Sequence, residues 1–287
     1  MVFAFSLSLV TFPLPWGQQP ECNQARNLTH KHAPMNIPMT RPARRPLIIA
    51  HRGANSFAPE NSLQAFQAAL QLGCDGIEMD LRLTASGDVV VFHDRSLSRM
   101  TGCRGVVHRL SLAQIRQAYL EGNPEYRIPT LQEALDLIGD QAMIILDVKK
   151  ESFRRTGLEE KILEIVRQFR LEANVIISSF NPQVLKYIAS LAPQLHLGFI
   201  FRNRSHRFFS GNTPLRSLHA HYRALSERYI HHLHQQGYHI FAWTVDQVRR
   251  IQEVLRLNVD GIITNRPEDV FSVLHQQPVE TLLAGRL

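Results

Sequence analysis

Short runs of consecutive apolar residues recur along most of the chain, separated by stretches whose apolar positions return every three or four residues. The runs are 47–51 (LIIAH), 76–82 (GIEMDLR), 142–148 (AMIILDV), 174–179 (NVIISS), 195–201 (LHLGFIF), 217–221 (SLHAH), 238–244 (YHIFAWT) and 260–264 (DGIIT). Their length and unbroken apolar character predict strands buried on both faces, as in parallel sheets. The intervening segments predict helices over 61–72, 130–139, 157–170, 182–191, 225–236 and 246–257, with a shorter one near 111–119. Strands alternating with helices imply parallel pairing. Eight such units predict a single (β/α)₈ barrel, with an open doubly wound sheet as the structural competitor.

One strand-like run, 88–93, breaks the alternation. It follows 76–84 across Ala85-Ser86-Gly87-Asp88, a hairpin signal. A two-residue loop at Ser86-Gly87 makes paired positions sum to 173 and sets Asp80 opposite His93, so an extra antiparallel hairpin is predicted after the second barrel strand.

The ends of the chain differ. Residues 1–46 begin apolar, lack a basic region before the apolar run, and continue polar and Pro-rich to Arg41-Pro42-Ala43-Arg44-Arg45-Pro46. We expect an unstructured leader over 1–46, a barrel domain over 47–275 and a short tail over 276–287. A leader of this composition favours a cytoplasmic location, with secretion or a periplasmic location as the alternative.

Composition narrows the function. Of 287 residues, 44% are hydrophobic and 20% charged, which fits a globular fold. The formal charge of +7 favours acidic partners such as phosphate esters or anionic lipid, but it is spread along the chain, so no nucleic-acid partner is expected. The three cysteines, Cys22, Cys74 and Cys103, form no Cys-x-x-Cys pair, which argues against a disulfide framework and a structural zinc site.

In a (β/α)₈ barrel the chemistry lies at the C-terminal ends of the strands. His51-Arg52-Gly53 ends the first strand, Glu78 and Asp80 the second, Asp147 and Lys149 the third, Trp243 the seventh, and His93 the hairpin return. Residues two apart on a strand share a face, so Glu78 with Asp80, and Asp147 with Lys149, point the same way. Clustered carboxylates repel, and a hard divalent cation, Mg²⁺ or Ca²⁺, relieves this; pairing with Arg or Lys without metal is the alternative. His51 and His93 at the same rim suit acid–base work near neutral pH. Arg52 and Lys149 suit a phosphate, or a neighbouring carboxylate. Glu60 fits a helix start or a supporting role, Asn61 with Gln64 resembles a capping box, and Trp243 either walls a substrate alcohol or fills the barrel. Phe199, Phe201, Phe208 and Phe209, with Arg202, Arg204 and Arg207, follow the fifth strand on the rim side and could meet a lipid surface.

His51-Arg52-Gly53, Pro59-Glu60-Asn61-Ser62, Glu78-Met79-Asp80, Phe92-His93-Asp94, Ile128-Pro129-Thr130-Leu131, Ser178-Ser179-Phe180, Ala242-Trp243-Thr244 and Asp260-Gly261-Ile262-Ile263-Thr264, in this order, resemble the glycerophosphodiester phosphodiesterase family. The resemblance implies a TIM barrel that hydrolyses glycerophosphodiesters to glycerol 3-phosphate and an alcohol. It implies a divalent cation held by Glu78, Asp80 and Asp147, His51 and His93 as the acid–base pair, and Arg52, Lys149, Trp243 and Phe180 as substrate-binding residues. The chain departs from the family pattern at Asp147, where Glu is usual, and at Asn265, where Thr-Asp is common; the latter position is expected to be tolerant. A lysophospholipase D is the enzymatic alternative, and a non-catalytic barrel that binds a phosphodiester or a protein partner is the other.

Overall fold

The computed structural model describes residues 45–150, 156–203 and 213–276. The expected leader, apart from Arg45 and Pro46, lies outside these residues, as do the expected tail beyond Gln276 and the segment containing Arg204, Arg207, Phe208 and Phe209.

Along the chain run β1 (Leu47–His51), α1 (Leu63–Gln71), β2 (Gly76–Leu83), β3 (Val89–Val91), the four-residue helices α2 (Ser98–Thr101) and α3 (Leu112–Ile115), and α4 (Leu131–Ile138). There follow β4 (Met143–Val148), α5 (Leu158–Phe169), β5 (Val175–Ser179), α6 (Pro182–Leu191), β6 (His196–Phe201), β7 (Leu215–His221), α7 (Glu227–Gln235), β8 (His239–Trp243), α8 (Val248–Arg256), β9 (Gly261–Thr264) and α9 (Pro267–Gln276). β1 pairs in parallel with both β2 and β9, and the remaining parallel pairs run β2–β4 and β4 through β9 in order, which closes an eight-stranded barrel. This is the TIM barrel the apolar runs predict.

Local chemistry explains the helix ends. Ser62 caps α1 by accepting from the Ala65 N–H, and Thr130 with Glu133 forms a reciprocal capping box at α4. The capping box expected for Asn61 and Gln64 is therefore not formed. Asn61 adopts a left-handed backbone (φ 59°) and turns its side chain into the barrel mouth instead. The helix expected over 111–119 shortens to α3, and α9 lies beyond the helices that the pattern predicts.

Inside the barrel the period of two separates the layers. Leu47, Ile49, Met143, Ile145, Ile176, Phe241 and Ile263 fill the interior, while Ile77, Met79, Ile144, Leu146 and Ile177 face α1, α4 and α5. Phe199 and Phe201 belong to the outer layer. Both are buried with α7, α8 and their neighbours, so these two are not rim residues available to a lipid surface.

β3 pairs antiparallel with β2, on the edge that β1 leaves free beyond Glu78. The register is Leu81↔Val91, Arg82↔Val90 and Leu83↔Val89, so positions sum to 172, one residue off the expected pairing. The cause is a three-residue loop, Ala85-Ser86-Gly87, with Gly87 left-handed (φ 85°) and the Thr84 N–H donating to the Asp88 carbonyl (2.9 Å). Phe92, not His93, therefore bonds to the Asp80 carbonyl through its N–H (2.8 Å), and the return strand stops at Val91. The excursion 92–128 packs Phe92, Leu97, Met100, Val107, Ile115, Leu120 and Ile128 with Val90 of β3 into a small core of its own.

Candidate active site

The mouth forms where inward-facing positions change from apolar to charged. On β2 the inward residues run Gly76, Glu78, Asp80; on β4 they run Met143, Ile145, Asp147 and then Lys149 just past the strand. The parallel register places Asp80 beside Asp147 and His51 beside Glu78. Ligand oxygens of Glu78, Asp80 and Asp147, all buried, lie within 4.8 Å of one another.

Cations stand among these carboxylates. Lys149 Nζ is 2.9 Å from Asp80 Oδ1 and also bonds Asp147 Oδ2, while Arg52 Nε is 3.1 Å from Asp80 Oδ2. Asn61 Nδ2 donates to Asp80 Oδ2 (2.8 Å). Arg52 is itself left-handed (φ 60°), which aims its backbone N–H at Glu78 Oε2 (3.1 Å). The next residue must be glycine: Gly53 has φ 83°, and a Cβ there would sit 2.7 Å from the Ala65 backbone.

Burial and mutual repulsion divide the carboxylates electrostatically. Burial, then Asp80 and Asp147, push Glu78 well above the usual carboxylate range. Burial also lifts Asp147, to about 6, against the pull of Lys149. At Asp80, Lys149 and Arg52 together outweigh desolvation and hold the carboxyl well below its ordinary value. Asp147 Oδ1 is buried with no hydrogen-bond partner. Three buried carboxylates, two of them reluctant to ionise and one with an orphaned oxygen, fit a divalent cation that prefers oxygen donors. The shorter Asp147 still brings its carboxylate into the cluster.

Two histidines reach the same cavity of about 180 Å³, which is also lined by Arg52, Glu78, Asp147, Lys149, Phe180 and Trp243. His51 Nε2 is 3.9 Å from Glu78 Oε2, and its Nδ1 lies 2.7 Å from Asn265 Oδ1. His93 Nδ1 lies 2.6 Å from Asp94 Oδ1. Each ring is tied back through Nδ1. The partners differ: an amide for His51, a carboxylate for His93. Burial, and after it Arg52, drive the His51 imidazole down to about 4; burial also lowers His93, against the opposing pull of Asp80 and Asp94.

Phe180 and Trp243 meet edge to face, ring centres 5.5 Å apart, and the Trp243 indole N–H donates to the His219 carbonyl (2.8 Å). Glu60 holds Arg52 through Nη1 (2.9 Å) and also accepts from Arg99 Nη2 (2.5 Å), while Arg99 Nε donates to Asp94 (2.5 Å). Glu60 thus contacts Arg52 directly and reaches Asp94, the partner of His93, through Arg99. Arg99, Asp94, Asn61 and Asn265 also take supporting places, a role that strand period and residue spacing do not assign to them. Asn265 in particular, expected to be tolerant, sits inside the hydrogen-bond shell of His51. His219 is buried in the barrel and lines the same cavity, whereas His234 and His239 flank Asp260 at the other end of β8.

Residues 51–269 match the model of the glycerophosphoryl diester phosphodiesterase family. The chain belongs to this family. A glycerophosphodiester phosphodiesterase of Caldanaerobacter subterraneus subsp. tengcongensis is 34% identical over 240 residues, covering 80% of this chain and 98% of that one. A second, from Bacillus altitudinis, is 31% identical over 232 residues, covering 77% and 95%. Among solved structures, an Oleispira antarctica phosphodiesterase in complex with the product sn-glycerol-3-phosphate superposes with a TM-score of 0.73 at 26% identity, over 81% of this chain and 98% of that chain. The chain is a phosphoric diester hydrolase by family, and all the site residues from His51 to Asn265 fall within the matched span.

Proposed function

We propose that this phosphodiesterase hydrolyses glycerophosphodiesters to glycerol 3-phosphate and an alcohol, with His51 and His93 as its acid–base pair. The observation that carries the reading is the meeting of both imidazoles with the Glu78/Asp80/Asp147 cluster in one cavity. The name of the relatives and the product held by the Oleispira antarctica enzyme support the substrate class.

Glu78, Asp80 and Asp147 would hold a divalent cation, Mg²⁺ or Ca²⁺. When bound, such a cation supplies electrophilic stabilisation of charge on a phosphate oxygen. Arg52 and Lys149 add fixed positive charge for the phosphodiester anion, the former through a planar fork. His51, neutral because of its burial, takes the proton of the attacking oxygen as the new P–O bond forms. His93 gives a proton to the alkoxide as the old P–O bond breaks. The asymmetry of partners supports this division, because the Asp94 carboxylate stabilises an imidazolium better than the Asn265 amide does. Phe180 and Trp243 wall the alcohol side of the cavity.

The test is release of glycerol 3-phosphate from glycerophosphocholine, with chelator and with added divalent cation. Release that stops with chelator and resumes with cation is expected. No release with any added cation overturns the reading in favour of a phosphodiester-binding barrel.

A further inference from the structure

Asn265 stands just beyond β9, in a hydrogen-bonded network whose donors and acceptors can be assigned without ambiguity. Its Nδ2 lies 2.7 Å from Asp246 Oδ2, and a carboxylate oxygen only accepts. The amide is therefore oriented with Nδ2 toward Asp246 and Oδ1 toward His51. The Asn265 backbone N–H donates to Asp246 Oδ1 (2.8 Å), and the Thr264 hydroxyl donates to the same oxygen (3.2 Å). Asn265 Oδ1 accepts from Asn55 Nδ2 (2.7 Å), and Asn55 Nδ2 also donates to the His51 carbonyl (3.1 Å). The remaining contact on Oδ1 is His51 Nδ1 at 2.7 Å. An amide oxygen has no proton to give, so the hydrogen of this bond sits on Nδ1.

We propose that Asn265, held by Asp246, is a positioning residue that fixes His51 as the Nδ1–H tautomer and aims the Nε2 lone pair into the cavity. Asn265 touches no reacting atom; it acts through His51. The proposal rests on the hydrolase reading for its kinetic consequence, but the tautomer itself is a property of the protein alone. A ring free to take the other tautomer presents a hydrogen at Nε2, and a nitrogen that carries a hydrogen cannot accept the proton of the attacking oxygen. The geometry also shows why two side chains are needed. Asp246 fixes which end of the Asn265 amide faces the imidazole, and Asn55 ties the same oxygen to the backbone of His51.

Two measurements test this in the full-length chain. In the first, ¹⁵N spectra of histidine-labelled protein, with the His51 signals assigned by their loss in His51→Gln, report which ring nitrogen carries the hydrogen near neutral pH. Wild type is expected to show a protonated Nδ1 and a bare Nε2, and Asn265→Leu, which removes the acceptor at similar volume, is expected to lose that pattern. A wild-type ring protonated at Nε2, or an unchanged pattern in Asn265→Leu, overturns the proposal even if no substrate is turned over.

In the second, Asn265→Leu is expected to lower kcat by about 10²-fold or more, as expected for a wrong tautomer, with KM changed by less than about threefold. The exchange Asp246→Asn with Asn265→Asp keeps an acceptor toward His51 and a donor–acceptor pair between the two side chains. It is expected to recover kcat to within about tenfold of wild type. An exchange as inactive as Asn265→Leu, or Asn265→Leu with kcat within about threefold of wild type, overturns the proposal. Should Asn265→Leu fail to fold, the wild-type spectrum and the exchange decide. Absence of glycerol 3-phosphate release by wild type refutes the hydrolase reading and leaves the spectroscopic test standing.

Discussion

The floor and the mouth of this barrel are made from the same strands two residues apart, yet they are opposite in character. On the floor, Ile49, Met143, Ile145, Ile176, Phe241 and Ile263 interlock without a polar atom among their side chains. One inward step further, β1 offers His51, β2 offers Glu78 and Asp80, and β4 offers Asp147. The floor stabilises by burying apolar surface. The mouth contains buried carboxylates raised by desolvation, two left-handed non-glycine residues and an orphaned oxygen, all of which cost stability. The contrast shows a scaffold whose packed end holds a strained end in place.

Substitutions at the two ends should therefore separate stability from turnover. The largest expected effect is kinetic and confined to the mouth: His51→Ala or His93→Ala lowers kcat by about 10²–10⁴-fold while thermal unfolding stays near wild type. Near-normal turnover in either variant removes that histidine from the mechanism. Next in size is the reverse case on the floor. Phe241→Ala, at a fully buried ring, should cost about 3–5 kcal/mol in denaturant unfolding.

A smaller effect distinguishes the ends by sign. Glu78→Gln removes a buried carboxyl that its neighbours repel, so the metal-free protein should gain about 1 kcal/mol or lose nothing, while cation binding measured by calorimetry weakens sharply. A clear loss of metal-free stability would show that Glu78 is held by favourable contacts, contrary to this account.

The smallest effect is in pH. Asp147 is raised to about 6 in the folded protein, so its contribution to metal-free stability is full at low pH, below its unfolded value, and is lost as pH rises through about 6. Added Mg²⁺, which needs the ionised carboxylates, should raise the melting temperature more above that pH than below it. A cation effect that is equal at both ends of the range contradicts the assignment of Asp147 to the cluster.

Much of the floor and the central charges of the mouth were legible in the sequence, because both follow from period-two parity on buried strands. Parity alone brings Glu78 to the side of Asp80, and Asp147 to that of Lys149. Other features depend on facts that no local pattern carries. The β2–β3 register turns on whether the loop has two residues or three, and a left-handed Gly87 selects three. Asn61 and Asn265 belong to loops, and their partners Asp80 and His51 lie 19 and 214 positions away. The helix α9 did leave a signal: Pro267 at its start, Glu268 and Asp269 in its first turn, and buried Val270 and Val273. For Phe199 and Phe201 the same parity that placed Glu78 sends both rings outward, beneath the helices.

Lys149 gives the barrel mouth a property of its own. Its ammonium group lies against Asp80 and Asp147 and is covalently part of the chain. Were a cation held there as proposed, its loss would leave the three acids facing a tethered positive charge rather than only one another. The empty and loaded proteins would then share one backbone arrangement, and such a cation would exchange without the rim having to come apart.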